Sequence, residues 1–265
     1  MKPIWPAAQA AFALLLLALT VIGQDDLSAL LAQLGDNQFE ILAVGALEAH
    51  TPDPRIMPAL EEAFDRRKAK EEKQEIAVTL IRLGNRSAKY FDFLAGFARA
   101  AVDDRTPFFM DFDQNGRAIR GQFSAEFLNW CAINHQDPKV TAAKQFGYPK
   151  DVLSLARAKD PRAIEIFRKG LESPYPNVVG FSVQGLARLQ DTAAMPLIEK
   201  ACERLRGGRD AVAMELPWFA TREAEALMER LMPDRNDRDF MTRQIQGLRL
   251  IELRQSVSRA AVNAK

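Results

Sequence analysis

The stretch "DPRAIEIFRKGLESPYPNVVGFSVQGLARLQ" at residues 160–190 decides the fold. It begins with Asp-Pro, continues with apolar residues at helical spacing, breaks at Ser-Pro-Tyr-Pro and then returns to helical spacing. Proline is tolerated in the first turn of a helix and disrupts its interior, so the stretch predicts two helices joined by a short turn. One such pair cannot cover its own apolar face and needs neighbours.

The same pattern recurs along the chain. Residues 191–220 begin 31 positions after residue 160 and again predict a helix, a turn and a helix. Earlier, "DPRIMPALEEAF" from residue 53 matches the opening of residues 160–190, and "LIRLGN" at 80–85 matches "LARLQD" at 186–191. A repeat of about 30 residues built from two helices indicates an α-solenoid, in which neighbouring pairs share one core. The predicted fold is therefore all-α, with stacked antiparallel helix pairs.

The repeat also predicts which residues are buried. The buried face of the second helix in the unit 160–190 is predicted to contain Val179, Val183 and Leu186. Their partners in the next unit are predicted to be Leu197 and Ile198, because neighbouring repeats complete each other's core. Arg188 is predicted to face outward or toward a turn. Gly180 and Gly185 are expected to permit close helix packing.

These units resemble the HEAT-repeat family, specifically the short bacterial HEAT-like units of the phycobilin-lyase type. The resemblance rests on Asp-Pro at 53–54 and 160–161, on the apolar spacing of the first helices, and on Leu-x-x-Leu-x-Asp/Asn closing the second helices. It is clearest over residues 160–220. It implies a stack of helix pairs, and most such units act as binding scaffolds. Lyase chemistry is not carried over, because only the repeat matches.

The N-terminus, "MKPIWPAAQAAFALLLLALTVIGQDD" (1–26), differs from the rest. Lys2 precedes an apolar run over residues 7–22, and the small residues Val21 and Gly23 suit cleavage before Gln24. This arrangement predicts a secretory signal at residues 1–23 and export to the periplasm or medium. The alternative is a retained membrane anchor, although the run is short for a comfortable span. The membrane would be a partner only through this segment.

The remaining chain divides by pattern. We expect N-terminal HEAT-like repeats at 24–102, an insertion with its following helix at 103–135, C-terminal HEAT-like repeats at 136–232, and a charged linker with a helix or tail at 233–265.

The insertion contains "TPFFMDFDQNGRAIRGQFSAEFLNWC" (106–131) and breaks the helical rhythm near 104–122. Asn115-Gly116 is the strongest short signal for a two-residue type I′ turn. A hairpin with that tip would pair Phe112 with Ile119 and Asp111 with Arg120. An irregular ordered loop is the main alternative.

A calcium loop is the third interpretation of the same residues. Asp111, Asp113 and Asn115 alternate as the ligands of such a loop do, and Gly116 would supply its sharp turn. However, the closing glutamate position holds the neutral Gln122. Any calcium binding is therefore expected to be weak, and no cofactor or metal is predicted.

The aromatic residues of the insertion have two interpretations. Phe108, Phe109 and Phe112 either anchor the insertion to the helices or present an apolar patch to a partner. Anchoring is the expectation, and the patch stays an open alternative.

Other chemical motifs are missing from the sequence. His50 and His135 stand near predicted helix ends and lack metal-ligand spacing. In "GFSVQG" (180–185), Gln184 occupies the place of the second glycine of a nucleophile elbow. Cys131 and Cys202 are expected to be separate buried side chains, with a disulfide as the alternative.

Composition limits the function classes. Lys plus Arg total 36 and Asp plus Glu total 35, a net charge of +1, so nucleic acid is not predicted as a partner. We expect a non-enzymatic scaffold that binds another protein. The alternative is an enzyme or enzyme subunit, with Asp111, Asp113 and His135 forming a site in the insertion at 103–135.

Overall fold

The computed structural model describes residues 27–35, 41–51, 53–119, 121–205 and 207–263. In these ranges the chain forms thirteen α-helices and four 3₁₀ turns, with no strand. The all-α prediction is confirmed. The predicted secretory signal at 1–23 lies outside the described residues.

Helices α1 to α5 make up the N-terminal part of the fold, with one 3₁₀ turn at Glu48–His50. Their bounds are α1 Leu27–Gly35, α2 Ile41–Leu47, α3 Ile56–Arg66, α4 Lys70–Arg82 and α5 Ala88–Asp103.

Helices α6 to α13 complete the fold, with further 3₁₀ turns at Pro161–Ala163, Thr192–Ala194 and Leu216–Trp218. Their bounds are α6 Ala125–Ile133, α7 Pro138–Ala158, α8 Ile164–Gly170, α9 Pro176–Arg188, α10 Met195–Arg204, α11 Arg209–Ala213, α12 Arg222–Leu231 and α13 Arg235–Asn263.

The two matching Asp-Pro-Arg sequences form the same local structure. The Asp53 carboxylate accepts the backbone N–H of Arg55 at 2.9 Å and also accepts two hydrogen bonds from the Arg55 guanidinium. Asp160 accepts the backbone N–H of Arg162 at 3.0 Å, and the Arg162 guanidinium lies 2.6 Å from its second oxygen. In both places the aspartate supplies an acceptor for a backbone donor that the start of a helix leaves unpaired.

The helices contact one another in chain order. Helix α2 packs on α4, which packs on α7. Helix α7 packs on α9, and α9 packs on α11. Helices α5 and α8, which precede α7 and α9 in the chain, also contact each other. A single hydrophobic core runs through this series from Leu30 to Ile245. Helix α13 contacts both the 3₁₀ turn at Leu216–Trp218 and the one at Glu48–His50, so the last helix bridges late and early parts of the chain.

The predicted core of residues 160–190 is largely confirmed. Val179, Val183 and Leu186 are fully buried, and so is Ile198 in the next unit. The prediction for Leu197 is wrong, because 46% of it is exposed. Leu197 lies about 100° around α10 from Ile198, beyond the edge of the buried stripe.

Glycines 180 and 185 allow close packing, as predicted. A Cβ atom at Gly180 would lie 2.5 Å from the carbonyl oxygen of Ala211, and one at Gly185 would lie 2.6 Å from the ring of Phe167. Helix α9 therefore approaches α11 and α8 at distances that only glycine permits.

Arg188 faces a turn, the second of the two orientations predicted for it. Its guanidinium carbon lies 4.0 Å over the ring of Trp218. The cause is the second helix of residues 191–220, which is shorter than predicted. It consists of the five-residue α11 and the 3₁₀ turn at Leu216–Trp218, where Pro217 lacks a backbone donor. This turn carries Trp218 against the end of α9.

The C-terminal stretch predicted as a charged linker is helical from Arg235 onward. Ile245 is buried and Leu248 packs against the main core, so this part of α13 is held by the fold. In the part of the chain that the structure describes, no helix combines the length and apolar character needed to cross a bilayer.

The two cysteines are unpaired and buried. Cys131 lies on α6 and Cys202 on α10, as the sequence suggested for separate small side chains.

Candidate functional site

The insertion makes a tight turn whose register differs from the predicted hairpin. Phe112 forms an antiparallel bridge with Ala118, whereas the prediction paired it with Ile119. Gly116 has φ +74°, but Asn115 is not in the positive-φ region that a type I′ turn requires. The predicted pair of Asp111 with Arg120 lies partly outside the described residues.

Asp113 determines this turn. Its Oδ1 accepts the backbone N–H groups of Asn115 at 2.8 Å and Arg117 at 2.9 Å, and its own N–H donates to the carbonyl of Arg117 at 2.8 Å. The N–H groups of Arg117 and Asn115 hold the pKa of the Asp113 carboxyl below its usual range. The carboxylate is therefore engaged with the backbone of its own turn, as aspartate commonly is in loops.

The predicted metal and catalytic candidates are not gathered in one place. Asp111 and Asp113 are exposed, and His135 is exposed in a left-handed conformation at the end of α6. Among the described residues, no group of three or more His, Cys, Asp or Glu side chains could hold a metal ion.

The turn is fastened to the loop between α10 and α11. A Cβ atom at Gly207 would lie 2.4 Å from the ring of Phe112, so this ring packs directly on glycine backbone. The N–H of Gly208 donates to the carbonyl of Gly116 at 3.1 Å. Sequence reasoning missed this contact, for which the adjacent glycines 207 and 208 were the available signal.

The three phenylalanines proposed as interaction candidates all contact the fold. The Phe108 ring stacks on Phe112 with centroids 5.8 Å apart and meets Tyr175 at 6.1 Å. Phe109 is buried, and its backbone N–H donates to Gln145 Oε1 at 3.1 Å. Their placement agrees with the anchoring interpretation.

A hydrogen-bonded network fixes the start of the insertion to α7 and α9. The Tyr148 hydroxyl donates to Asp104, and the Tyr175 hydroxyl donates to the carbonyl of Thr106 at 2.8 Å. Burial raises the pKa of the Asp104 carboxyl, but hydrogen bonds from Tyr148 and Thr106 outweigh it and hold the pKa below its usual range. Burial raises the pKa of both tyrosines, and the Asp104 charge adds to that increase.

Beyond this network, a small second core separates from the main one. Phe109, Phe127, Cys131 and Ala142 form it, and partly buried aromatic side chains of the insertion surround it. Helix α6 packs chiefly on α7 through this small core. Helix α6 and the first half of α7 therefore form a helical hairpin at the edge of the fold.

This hairpin carries most of the exposed large apolar side chains. The described residues contain seven of them, and five lie within 119–146. Ile133 is 68% exposed, Val140 60% and Phe146 64%. Soluble proteins rarely group such side chains without a partner. We call these five residues the insertion surface: Ile119, Leu128, Ile133, Val140 and Phe146.

The first half of α7 inverts the usual burial pattern. Its polar Thr141 and Gln145 are buried, whereas its apolar Val140 and Phe146 are exposed. Gln145 is buried because its Nε2 donates to the carbonyl of Pro107 at 2.9 Å while its Oε1 binds Phe109. The sequence carried no clear sign of this inversion, since the insertion decides which side of α7 is covered.

A second polar cluster lies where α9 meets the 3₁₀ turn at Leu216–Trp218. Glu215 accepts a hydrogen bond from Gln184 Nε2 at 2.8 Å. Burial raises the pKa of Glu215 to about 7, against the opposing effects of Gln184 and Arg188. This cluster joins two neighbouring helical units.

Comparison of the chain with models of known protein families, with curated proteins and with solved structures gave no match.

Proposed function

We propose that the protein is a HEAT-like α-solenoid that acts as a scaffold for binding another protein. The solenoid assignment is supported by the order of helix contacts, in which the second helix of each pair packs on that of the next. It is also supported by the shared Asp-Pro-Arg structures at residues 53–55 and 160–162. A stack of this kind offers extended surfaces for a partner.

The insertion surface is the proposed binding site. The observation that carries the proposal is that five of the seven exposed large apolar side chains of the described residues lie within residues 119–146: Ile119, Leu128, Ile133, Val140 and Phe146. Burying these side chains against a partner would remove their apolar area from water, at about 25 cal/mol per Å². Phe108, Phe109 and Phe112 of the insertion pack against the rest of the fold and so hold this surface in place.

The enzyme alternative has less support. An active site needs polar groups that converge in an enclosed space. Asp111, Asp113 and His135, the residues that motivated this alternative, are exposed, and Asp113 is occupied by backbone N–H groups.

We also propose export, on the strength of the N-terminal sequence. The single lysine, the apolar run at residues 7–22 and the small residues before Gln24 support it. A retained anchor at 1–23 would place the scaffold at a membrane surface instead.

The binding site can be tested by photo-crosslinking in the native cell extract. The full-length chain would carry a photoreactive phenylalanine at Phe146, and a matched protein would carry it at the exposed Leu197 of α10. We expect a discrete protein adduct from position 146 and none from position 197. The adduct should disappear when Ile133→Asp and Val140→Asp are added. Equal crosslinking at the two positions would refute this surface as the binding site.

A further inference from the structure

The charged side chains on the exposed face of the first half of α7 are all positive. Residues 138–150, "PKVTAAKQFGYPK", contain three lysines and no acidic residue. At about 100° per residue, Lys139, Phe146 and Lys150 lie on one stripe of the helix, whereas Val140 and Lys144 lie about 100° and about 140° around the helix from Lys139. All five side chains are exposed. Apolar and cationic groups therefore share one broad exposed arc of α7, with Phe146 at one edge and Lys144 at the other.

Lysines 139, 144 and 150 form no ion pair within the described residues, which is also true of Lys68 and Lys200, whereas other lysines pair with aspartate. Lys70 lies 2.6 Å from Asp151, and Lys169 lies 2.6 Å from Asp103. Two acids flank this face in sequence. Asp137 caps α7 by accepting the backbone N–H of Lys139 at 2.7 Å. Asp151 is engaged by Lys70 and by Gln74 Nε2 at 2.8 Å. The three lysines on this face are therefore available to an outside partner.

The apolar side chains do not lie in one plane. Leu128 and Ile133 are five residues apart on α6, about 140° around that helix. Ile133 ends α6, and Val140 stands in the first turn of α7, so the exposed groups wrap around the tip of the hairpin. A protein partner can follow such a curved surface, whereas a bilayer would contact only one side of it.

We propose that the partner of the insertion surface is an acidic protein segment, with apolar side chains flanked by Asp or Glu. This deepens the proposed function and rests on it. The apolar groups of the segment would cover Ile133, Val140 and Phe146, and its carboxylates would face Lys139, Lys144 and Lys150. Complementary charge at the rim of an apolar contact directs association and excludes partners of the wrong sign.

Two synthetic probes test this assignment. Both are dye-labelled amphipathic helical peptides with the same leucine stripe, flanked by glutamate in one and by lysine in the other. Fluorescence anisotropy would measure their binding to the full-length chain. We expect the glutamate peptide to bind at least tenfold more tightly, and added salt to reduce the difference by screening.

Matched variants locate the effect. Lys139→Glu, Lys144→Glu and Lys150→Glu together should abolish the preference for the glutamate peptide. The control combines Lys68→Glu, Lys200→Glu and Arg222→Glu, three exposed cations elsewhere, with the same change in net charge. This control should retain the preference. Circular dichroism would verify that both variants keep the helical content of the wild-type protein.

The outcomes separate the two proposals. If Ile133→Asp and Phe146→Asp abolish peptide binding but the lysine variant does not, the surface stands and the acidic partner is refuted. If neither set of variants changes the binding, the insertion surface itself is refuted as a site. Failure of both peptides to bind, or equal binding of both, also overturns the acidic partner.

Vesicle binding tests whether the lysines of α7 face an anionic lipid surface instead of an acidic protein segment. Sedimentation with phosphatidylglycerol and phosphatidylcholine vesicles would compare the wild-type chain with the Lys139→Glu, Lys144→Glu, Lys150→Glu variant. The N-terminal apolar segment is common to both chains and cancels in the comparison. We expect no difference between them. Loss of phosphatidylglycerol binding in the variant alone would assign the face to anionic lipid and overturn the proposal.

Discussion

Replacing Leu186 by alanine tests the packing of the helical units. Leu186 lies on α9 with 0% of its surface exposed, in the core that α9 shares with the helices on either side. Helix α9 contacts α7, α8 and α11, so the truncation removes atoms from the core between these helices.

The structure sets the size of the effect. The change deletes three carbon groups, worth about 2.4 kcal/mol at about 0.8 kcal/mol each. A cavity adds to this where neighbours cannot move in, and buried Leu→Ala changes cost about 2–5 kcal/mol in total. Helix α9 is held close to Ala211 and Phe167 through Gly180 and Gly185, which limits its relaxation. We therefore expect a loss of about 4 kcal/mol.

Urea denaturation followed by far-UV circular dichroism would measure this loss. With a urea dependence of about 3 kcal/mol per M, the midpoint should fall by more than about 1 M. Leu197→Ala is the matched control, because it makes the same chemical change on α10 at a side chain that is 46% exposed. Surface substitutions of this kind change stability by about 0.5 kcal/mol or less.

Two results would refute the reasoning. A Leu186→Ala protein as stable as the wild type would show that the helical register of α9 is wrong. Equal losses from Leu186→Ala and Leu197→Ala would show that burial does not distinguish these positions.

Three further predictions concern the N-terminus, the turn and the polar cluster. Protein recovered from an exported fraction should begin at Gln24 by N-terminal sequencing; a chain that keeps residues 1–23 in the membrane would indicate an anchor. Calorimetric titration should find no calcium site tighter than about millimolar, the weak end for extracellular modules; a micromolar site lost in Asp111→Ala would contradict this. Because the pKa of Glu215 is about 7 in the folded protein, against 4.5 ordinarily, its stabilising contribution is complete below pH 4.5 and disappears as the pH rises through 7. Wild-type stability relative to Glu215→Gln should fall by roughly 3 kcal/mol between pH 4 and pH 8 in urea melts, and parallel pH profiles for the two proteins would count against this role.

Local sequence patterns were sufficient for the helices and for their starts. Residues 160–190 form two helices joined by a turn where apolar spacing and proline predicted them. The Asp-Pro-Arg sequences at 53–55 and 160–162 form matching structures because each needs only contacts within three residues. Burial of Leu186 also followed from helical spacing, since the most apolar stripe of a helix faces its neighbours.

Tertiary contacts decided the features that involve distant parts of the chain. Arg188 covers Trp218 because the second helix of residues 191–220 is short, which apolar spacing alone did not reveal. Leu197 is exposed because it lies beyond the buried stripe of α10. The register of the turn at Asp113 depends on the hydrogen bonds between Asp113 and the backbone of the turn, and on the packing of the Phe112 ring against Gly207.

The candidate site depended most on tertiary structure. Its apolar members include Val140 and Phe146, which α7 exposes while burying Thr141 and Gln145. The sequence by itself determined only that residues 138–150 contain three lysines and no acid. Only the folded insertion decided which side of that helix is covered, because Gln145 must bind the backbone of a loop 36 residues earlier. Side-chain burial is set by whichever surface packs against the helix, and this surface comes from elsewhere in the chain.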